Sequence, residues 1–187
     1  MNIFVLDRDP ELAAKYHCDK HVIKMVLESA QMMCAAHWTT YLRKNDLSLS
    51  DFKRVRDAQS WLFENMSKQE QPPWKLSHAR HPCTVWTSES VENYKWHSKL
   101  GLYLCKEYTD RYHKIHKSEA VHLWLAKNIP DLPSQSFTEH PICMPEDVKT
   151  KDPVESYRNY YQEYKSHFAK WKTEKPSWWK VLAWKSI

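Results

Sequence analysis

Residues 18–38, CDKHVIKMVLESAQMMCAAHW, hold the pattern from which the rest of the chain is read. At about 100° per residue, Val22, Ile23, Met25, Val26, Leu27, Ala30, Met32, Met33 and Cys34 cover roughly two thirds of a helical wheel. That pattern predicts a helix buried on several sides. Lys20, His21, Lys24, Glu28 and Gln31 share the remaining arc. Further along the same arc stand Ala35, Trp38, Thr39 and Leu42, so the polar strip stops partway along the helix. A short charged strip between apolar walls reads as the floor of a cleft, where lysines lower the pKa of an acid and apolar walls raise it.

Outward from this helix, expected over residues 19–43, the chain reads as helices joined by proline-bearing connections. Upstream, MNIFVL is apolar and too short to build a sheet, so it is expected to pack into the helical body; Asp9-Pro10-Glu11 is an N-cap, N1 proline and early acid that open a helix to about His17. Downstream, Ser48 or Ser50 caps a helix over 51–66, and residues 67–82 form a long connection with Trp74, Lys75, His78, Arg80 and His81. A single long helix is expected after Pro82, from Cys83 to Tyr112, with Gly101 marking a close helix crossing inside it. A shorter helix begins at Ser118-Glu119, and residues 129–153, with five prolines, form an irregular surface segment. Asp152-Pro153 then opens a last helix through about Lys172.

The fold class is therefore mainly α: a compact single-domain helical bundle, residues 1–187, with a long irregular Pro-rich segment and with 173–187 as an aromatic-basic arm. One glycine, where average usage gives roughly 13, excludes glycine-rich phosphate loops, dinucleotide fingerprints and nucleophile elbows. No apolar run reaches the roughly 20 residues of a membrane span. The five cysteines form no CxxC pair and follow no signal peptide, which points to reduced thiols and a cytoplasmic protein.

A net charge of +5 with 13% aromatic residues, ten of them tryptophan, suits nucleic acid as well as a tryptophan-filled core. In the last helix Tyr157, Tyr160, Tyr161 and Tyr164 interleave with Arg158 and Lys165, a pattern that can stack on bases and neutralise phosphates. Arg80-His81-Pro82 precedes a helix N-terminus, where backbone N–H groups favour a phosphate, and His81 is positioned to cap that helix. For a metal, His17/Cys18/His21, His78/His81/Cys83 and His113/His116 are the close groupings, none of them an established motif.

Taken in order, the apolar amino terminus, the charged early helix, His81-Pro82 leading into a helix, EYTDRYHK closing it and PSWWKVLAWK at the carboxyl end resemble, distantly, the pyrimidine-dimer DNA glycosylases with AP-lyase activity, the phage endonuclease V type. The segment CDKHVIKMVLESAQ is also similar to phage-type proteins of no named activity. The resemblance implies a compact helical domain acting on damaged or modified duplex DNA, with no metal, no organic cofactor and no membrane. Its nucleophile would be the terminal α-amine, here that of Met1, since Asn2 is too large for efficient removal of the initiator methionine; the family pattern has a processed, small or hydroxylated first residue. Glu28 would be the assisting acid, with Asp19 or Glu11 as alternatives, and His21 and Lys24 would handle protons and phosphate. DNA contacts would come from Lys20, Gln31, Arg80, His81, Arg158, Lys165, Trp178, Trp179 and Lys180. Two rivals stand beside this reading: another phage-type DNA-processing enzyme, whether base-modifying or a metal-dependent nuclease, and a noncatalytic nucleic-acid-binding protein.

Overall fold

The computed structural model describes residues 2–180. Among them are seven α-helices: α1 (Pro10–Tyr16), α2 (Asp19–Lys44), α3 (Val55–Asn65), α4 (Pro82–Thr87), α5 (Val91–Tyr112), α6 (Glu119–Lys127) and α7 (Pro153–Tyr164). Single 3-10 turns occupy Leu49–Asp51 and Glu146–Val148, and the described residues contain no strand. The all-α class expected from the periodicity is the one observed.

Helix α2 is the spine, and three apolar clusters follow one another along it. Met25, Val26 and Met32 join the first with the amino segment, α5 and α7; Ala30, Met33 and Cys34 join the second with Tyr94, Val121 and Leu125; Ala35, Trp38 and Leu42 join the third with Ala58 and Leu62 of α3. Each fully buried Leu, Met or Val contributes about 1.5–3 kcal/mol. Of the predicted apolar arc, Ile23 and Leu27 depart from expectation, at 43% and 41% exposed, while His21 and Glu28 of the polar arc are buried at 7% and 8%. The apolar arc was wider than the number of elements that pack on α2, whereas the amino segment and the turn after α7 close over the ring of His21.

Local capping explains most helix starts. Asp9 Oδ1 accepts from the N–H groups of Glu11 and Leu12, and Asp152 Oδ1 accepts from Val154 N–H. Gly101 lets α6 approach α5: a Cβ there would lie 2.4 Å from the His122 ring, whose Nε2 donates to Val26 O at 2.9 Å.

Three sequence expectations need correction. The helix after Ser48 does not begin at 51; Ser48 caps the 3-10 turn and the α-helix starts at Val55. The single helix after Pro82 is two, because the chain turns at 88–90 and Ser90 Oγ caps a new start by accepting from Asn93 N–H at 3.1 Å. The last helix stops at Tyr164 rather than near Lys172. Beyond it, Phe168 packs on His21, Lys170 O accepts from Asp19 N–H and the Trp171 indole donates to Tyr16 O, so docking on α1 and α2 overrides helix propensity.

Candidate active site

The amino segment, residues 2–6, is threaded through the molecule. Ile3, Phe4, Val5 and Leu6 are 6% exposed or less, and Leu6 N–H closes a γ-turn on Phe4 O. The Phe4 ring stacks on His21 at 4.4 Å and meets Tyr157 and Tyr161 of α7 edge-on. At the other end, Asn2 is 6% exposed: its amide nitrogen donates to Cys143 O at 2.7 Å, and its Oδ1 lies 2.7 Å from the Tyr157 hydroxyl and 3.3 Å from Cys83 Sγ. The Tyr157 hydroxyl also reaches Pro141 O at 2.8 Å, with one proton to give to either.

Cys83 opens α4, and α4 is tied to the middle of α2 by a relay. The Thr87 hydroxyl donates to Cys83 O and faces His97 Nδ1 at 2.7 Å, while His97 Nε2 faces Ser29 Oγ at 2.8 Å. Burial lowers His97 to about 3; the neutral ring donates from Nδ1 to Thr87 and accepts at Nε2 from Ser29. The amino segment thus meets α2 at His21 through Phe4 and reaches α4 at Cys83 through Asn2.

On α2 the strip's i,i+4 spacing brings Lys24 to Glu28, while His21 and Glu28 are drawn into the core. Lys24 Nζ lies 3.1 Å from Glu28 Oε1, an i,i+4 pair whose lysine is exposed and whose carboxylate is buried. His21 Nδ1 is in very close contact with the Tyr161 hydroxyl. Burial, with the charges of His17, Lys165 and Lys24, lowers His21 to about 3, and burial pushes Tyr161 well above its ordinary value, so a neutral hydroxyl donates to a neutral imidazole. Lys20 stands over the Phe168 ring at 5.1 Å and Lys165 over Tyr160 at 4.5 Å. Three of the predicted residues, Lys20, Lys24 and Lys165, therefore form a cationic rim around the buried, neutral imidazole of a fourth, His21. Gln31 is half-buried, one turn beyond Glu28's neighbours.

The other predicted positions lie apart from this rim. Arg80 is exposed and borders a cleft of about 390 Å³ with Pro82, Trp86 and Glu139. His81 caps α4, its Nδ1 accepting from Cys83 N–H at 3.2 Å. Arg158 faces inward, donating to Leu6 O at 2.9 Å and to Asp7 at 3.0 Å, and its guanidinium lies 5.3 Å from the Trp178 ring. Trp178 packs on Tyr16 and Tyr161, and Trp179 on Trp171; both are half-buried. Trp178 and the exposed Lys180 border a cleft of about 650 Å³ whose other walls include Asp147, Asp152, Glu155 and Glu163. Met1 and residues 181–187, the latter carrying the end of PSWWKVLAWK, lie outside the described residues.

Sequence reasoning missed Asn2 and Cys143 as site residues, and Tyr157 and Tyr161, expected to stack on bases, are instead fully buried. Asn2 left one signal, a lone amide in an otherwise apolar opening; Cys143 left none, because it reaches Cys83 from a segment without periodicity. Among the metal groupings read from spacing, only His81 and Cys83 converge, and they do so with Cys143 instead of His78. All five cysteines are free, and Cys83 Sγ lies 3.9 Å from Cys143 Sγ. The contact with Cys143 and burial push the Cys83 thiol up, while the same contact and Lys149 lower Cys143 to about 7. No described helix is long and apolar enough to cross a membrane. Comparison of the chain with protein-family models, with characterised proteins and with solved structures gives no match.

Proposed function

We propose that this chain is a DNA-lesion N-glycosylase with AP-lyase activity that works through a Schiff base on its terminal α-amine. The observation that supports it most is the anchoring of residues 2–6. Chain ends usually fray, yet here Asn2 is held by contacts to Cys83, Cys143 and Tyr157, and Phe4 is stacked on α2. Such anchoring is what a reaction needs when its nucleophile is one peptide bond away, because misplacing a nucleophile by an ångström costs about 10²-fold in rate.

The chemistry follows from ordinary properties of the groups. An α-amine has a reference pKa of about 7.7–8.0, against about 10.4 for lysine, so a useful fraction is neutral near pH 7. The neutral amine attacks the sugar C1′, the C1′–N bond breaks, and the base leaves with the bonding pair and a proton. The sugar ring then opens as the C1′–O4′ bond breaks, O4′ takes a proton and the nitrogen's pair closes a protonated imine to C1′; this acidifies the C2′ protons, removal of one expels the 3′ phosphate by β-elimination, and water hydrolyses the imine to free the amine. Glu28 is the carboxylate suited to proton movement and to stabilising the cationic sugar, with Lys24 beside it. Lys20, Lys24 and Lys165 supply positive charge for a phosphate backbone.

Borohydride decides the matter. Protein incubated with abasic or ultraviolet-irradiated duplex DNA and borohydride is expected to form a covalent adduct that maps to the first peptide; no adduct on any lesion overturns the proposal. A second reading, a metal-dependent DNA-processing enzyme, is favoured by the convergence of His81, Cys83 and Cys143, and it predicts activity abolished by a chelator and no borohydride adduct.

A further inference from the structure

We infer that His81, Cys83 and Cys143 form a binding site for a zinc-class divalent cation, joining the start of α4 to the irregular segment before α7. The ligand-competent atoms of the three side chains lie within 4.8 Å of one another. The two sulfurs are 3.9 Å apart. Tetrahedral zinc with Zn–S bonds of about 2.3 Å requires an S···S edge of about 3.8 Å, so the pair is already at ligand spacing. It is far from the about 2.05 Å of a disulfide.

The donor set also fits in its chemistry. Two thiolates and a neutral imidazole balance a divalent charge and leave one tetrahedral position open. The His81 ring is already turned toward Cys83, where the Nδ1 lone pair meets the N–H of that residue; a cation would compete for that lone pair. Asn2 fixes the Cys143 backbone through its amide nitrogen on Cys143 O, while its Oδ1 accepts from the Cys83 S–H, a bond that ends when that thiol gives up its proton to a cation. Cys143 and His81 are half-buried and Cys83 is buried, so a bound ion would sit against the core.

The site does not depend on the glycosylase reading, and its test uses metal alone. Reduced, full-length protein freed of metal is titrated with zinc and, separately, with cobalt(II) as a spectroscopic probe. One equivalent bound per chain is expected, with thiolate-to-cobalt charge-transfer bands and the visible absorption of a tetrahedral ion. Cys143→Ser and His81→Ala should lose the tight equivalent, and His78→Ala, in the same loop but outside the trio, should leave it intact. Wild-type protein that binds no cobalt with thiolate bands overturns the site even if the variants misfold. So does binding that survives both Cys143→Ser and His81→Ala, and so does a Cys83–Cys143 disulfide that persists in reductant.

Discussion

The ring of His122 fills the space that a side chain on Gly101 would need, with its Cε1 and Nδ1 each 2.4 Å from the position of that absent Cβ. The ring is held there by its Nε2 bond to Val26 O. Gly101→Ala should therefore lower stability by about 1–3 kcal/mol, although alanine gains about 1 kcal/mol in helix propensity. Urea melts read the effect, and the double variant with His122→Ala should be less destabilised than the sum of the two single changes.

Arg111 is a second point of stability. Its side chain is fully buried, and each of its five N–H groups has an acceptor: Glu107 twice, Asp19, Lys15 O and His17 O. One guanidinium thereby closes the end of α1 and neutralises the start of α2. Arg111→Met leaves two carboxylates and two carbonyls behind, and a loss of about 3–5 kcal/mol is expected in denaturant unfolding. A loss below about 1 kcal/mol would contradict this account.

Stability should also fall in mild acid. Burial holds His17 and His122 at about 4 and His21, His37 and His97 at about 3, below the ordinary value near 6.5. Arg111 beside His17 and Lys24 and Lys165 beside His21 act in the same direction. Between the folded and unfolded values the unfolded chain binds more protons, so the contribution is whole above about pH 6.5 and is lost as pH falls toward about 4. Each histidine adds a slope of up to about 1.4 kcal/mol per pH unit. Melting temperature measured from pH 8 to pH 4.5 should be level at first and then drop steeply; a level profile down to pH 5 would show that these rings are solvated.

For the proposed reaction, Glu28→Gln should cut single-turnover lyase rate by about 10²–10⁴-fold, with near-native circular dichroism. Extending the chain by a few residues ahead of Met1 should abolish borohydride trapping.

The expected DNA contacts divide by where their charges point. Arg80→Ala and Lys180→Ala remove exposed cations and should each flatten the salt dependence of duplex binding by about one unit of slope. Arg158→Ala should instead lower thermal stability, because its guanidinium serves Leu6 O and Asp7.

What could be read in the sequence was what is encoded locally. Asp9-Pro10 and Asp152-Pro153 state their helix starts within three residues, and the spacing of Lys24 and Glu28 puts them on one face whatever surrounds them. The turn at 88–90 was hidden because the apolar period on either side of it suits one helix, and only Ser90 marks the restart. The stop after Tyr164 was hidden because Phe168 and Trp171 are held by α1 and α2, not by their neighbours in sequence. Cys143 meets Cys83 across 60 residues, a distance no local pattern spans.

The burial of the amino segment has a consequence for how the molecule is made. Asn2 finds Tyr157 across 155 residues and Leu6 finds Arg158 across 152, so this segment must wait for α7 before its bonds can form. At about 5–20 residues per second, that partner is about 10–30 s away. Throughout that interval NIFVL is an uncovered apolar segment, a natural handle for chaperones, and the site it completes closes only once α7 has been made.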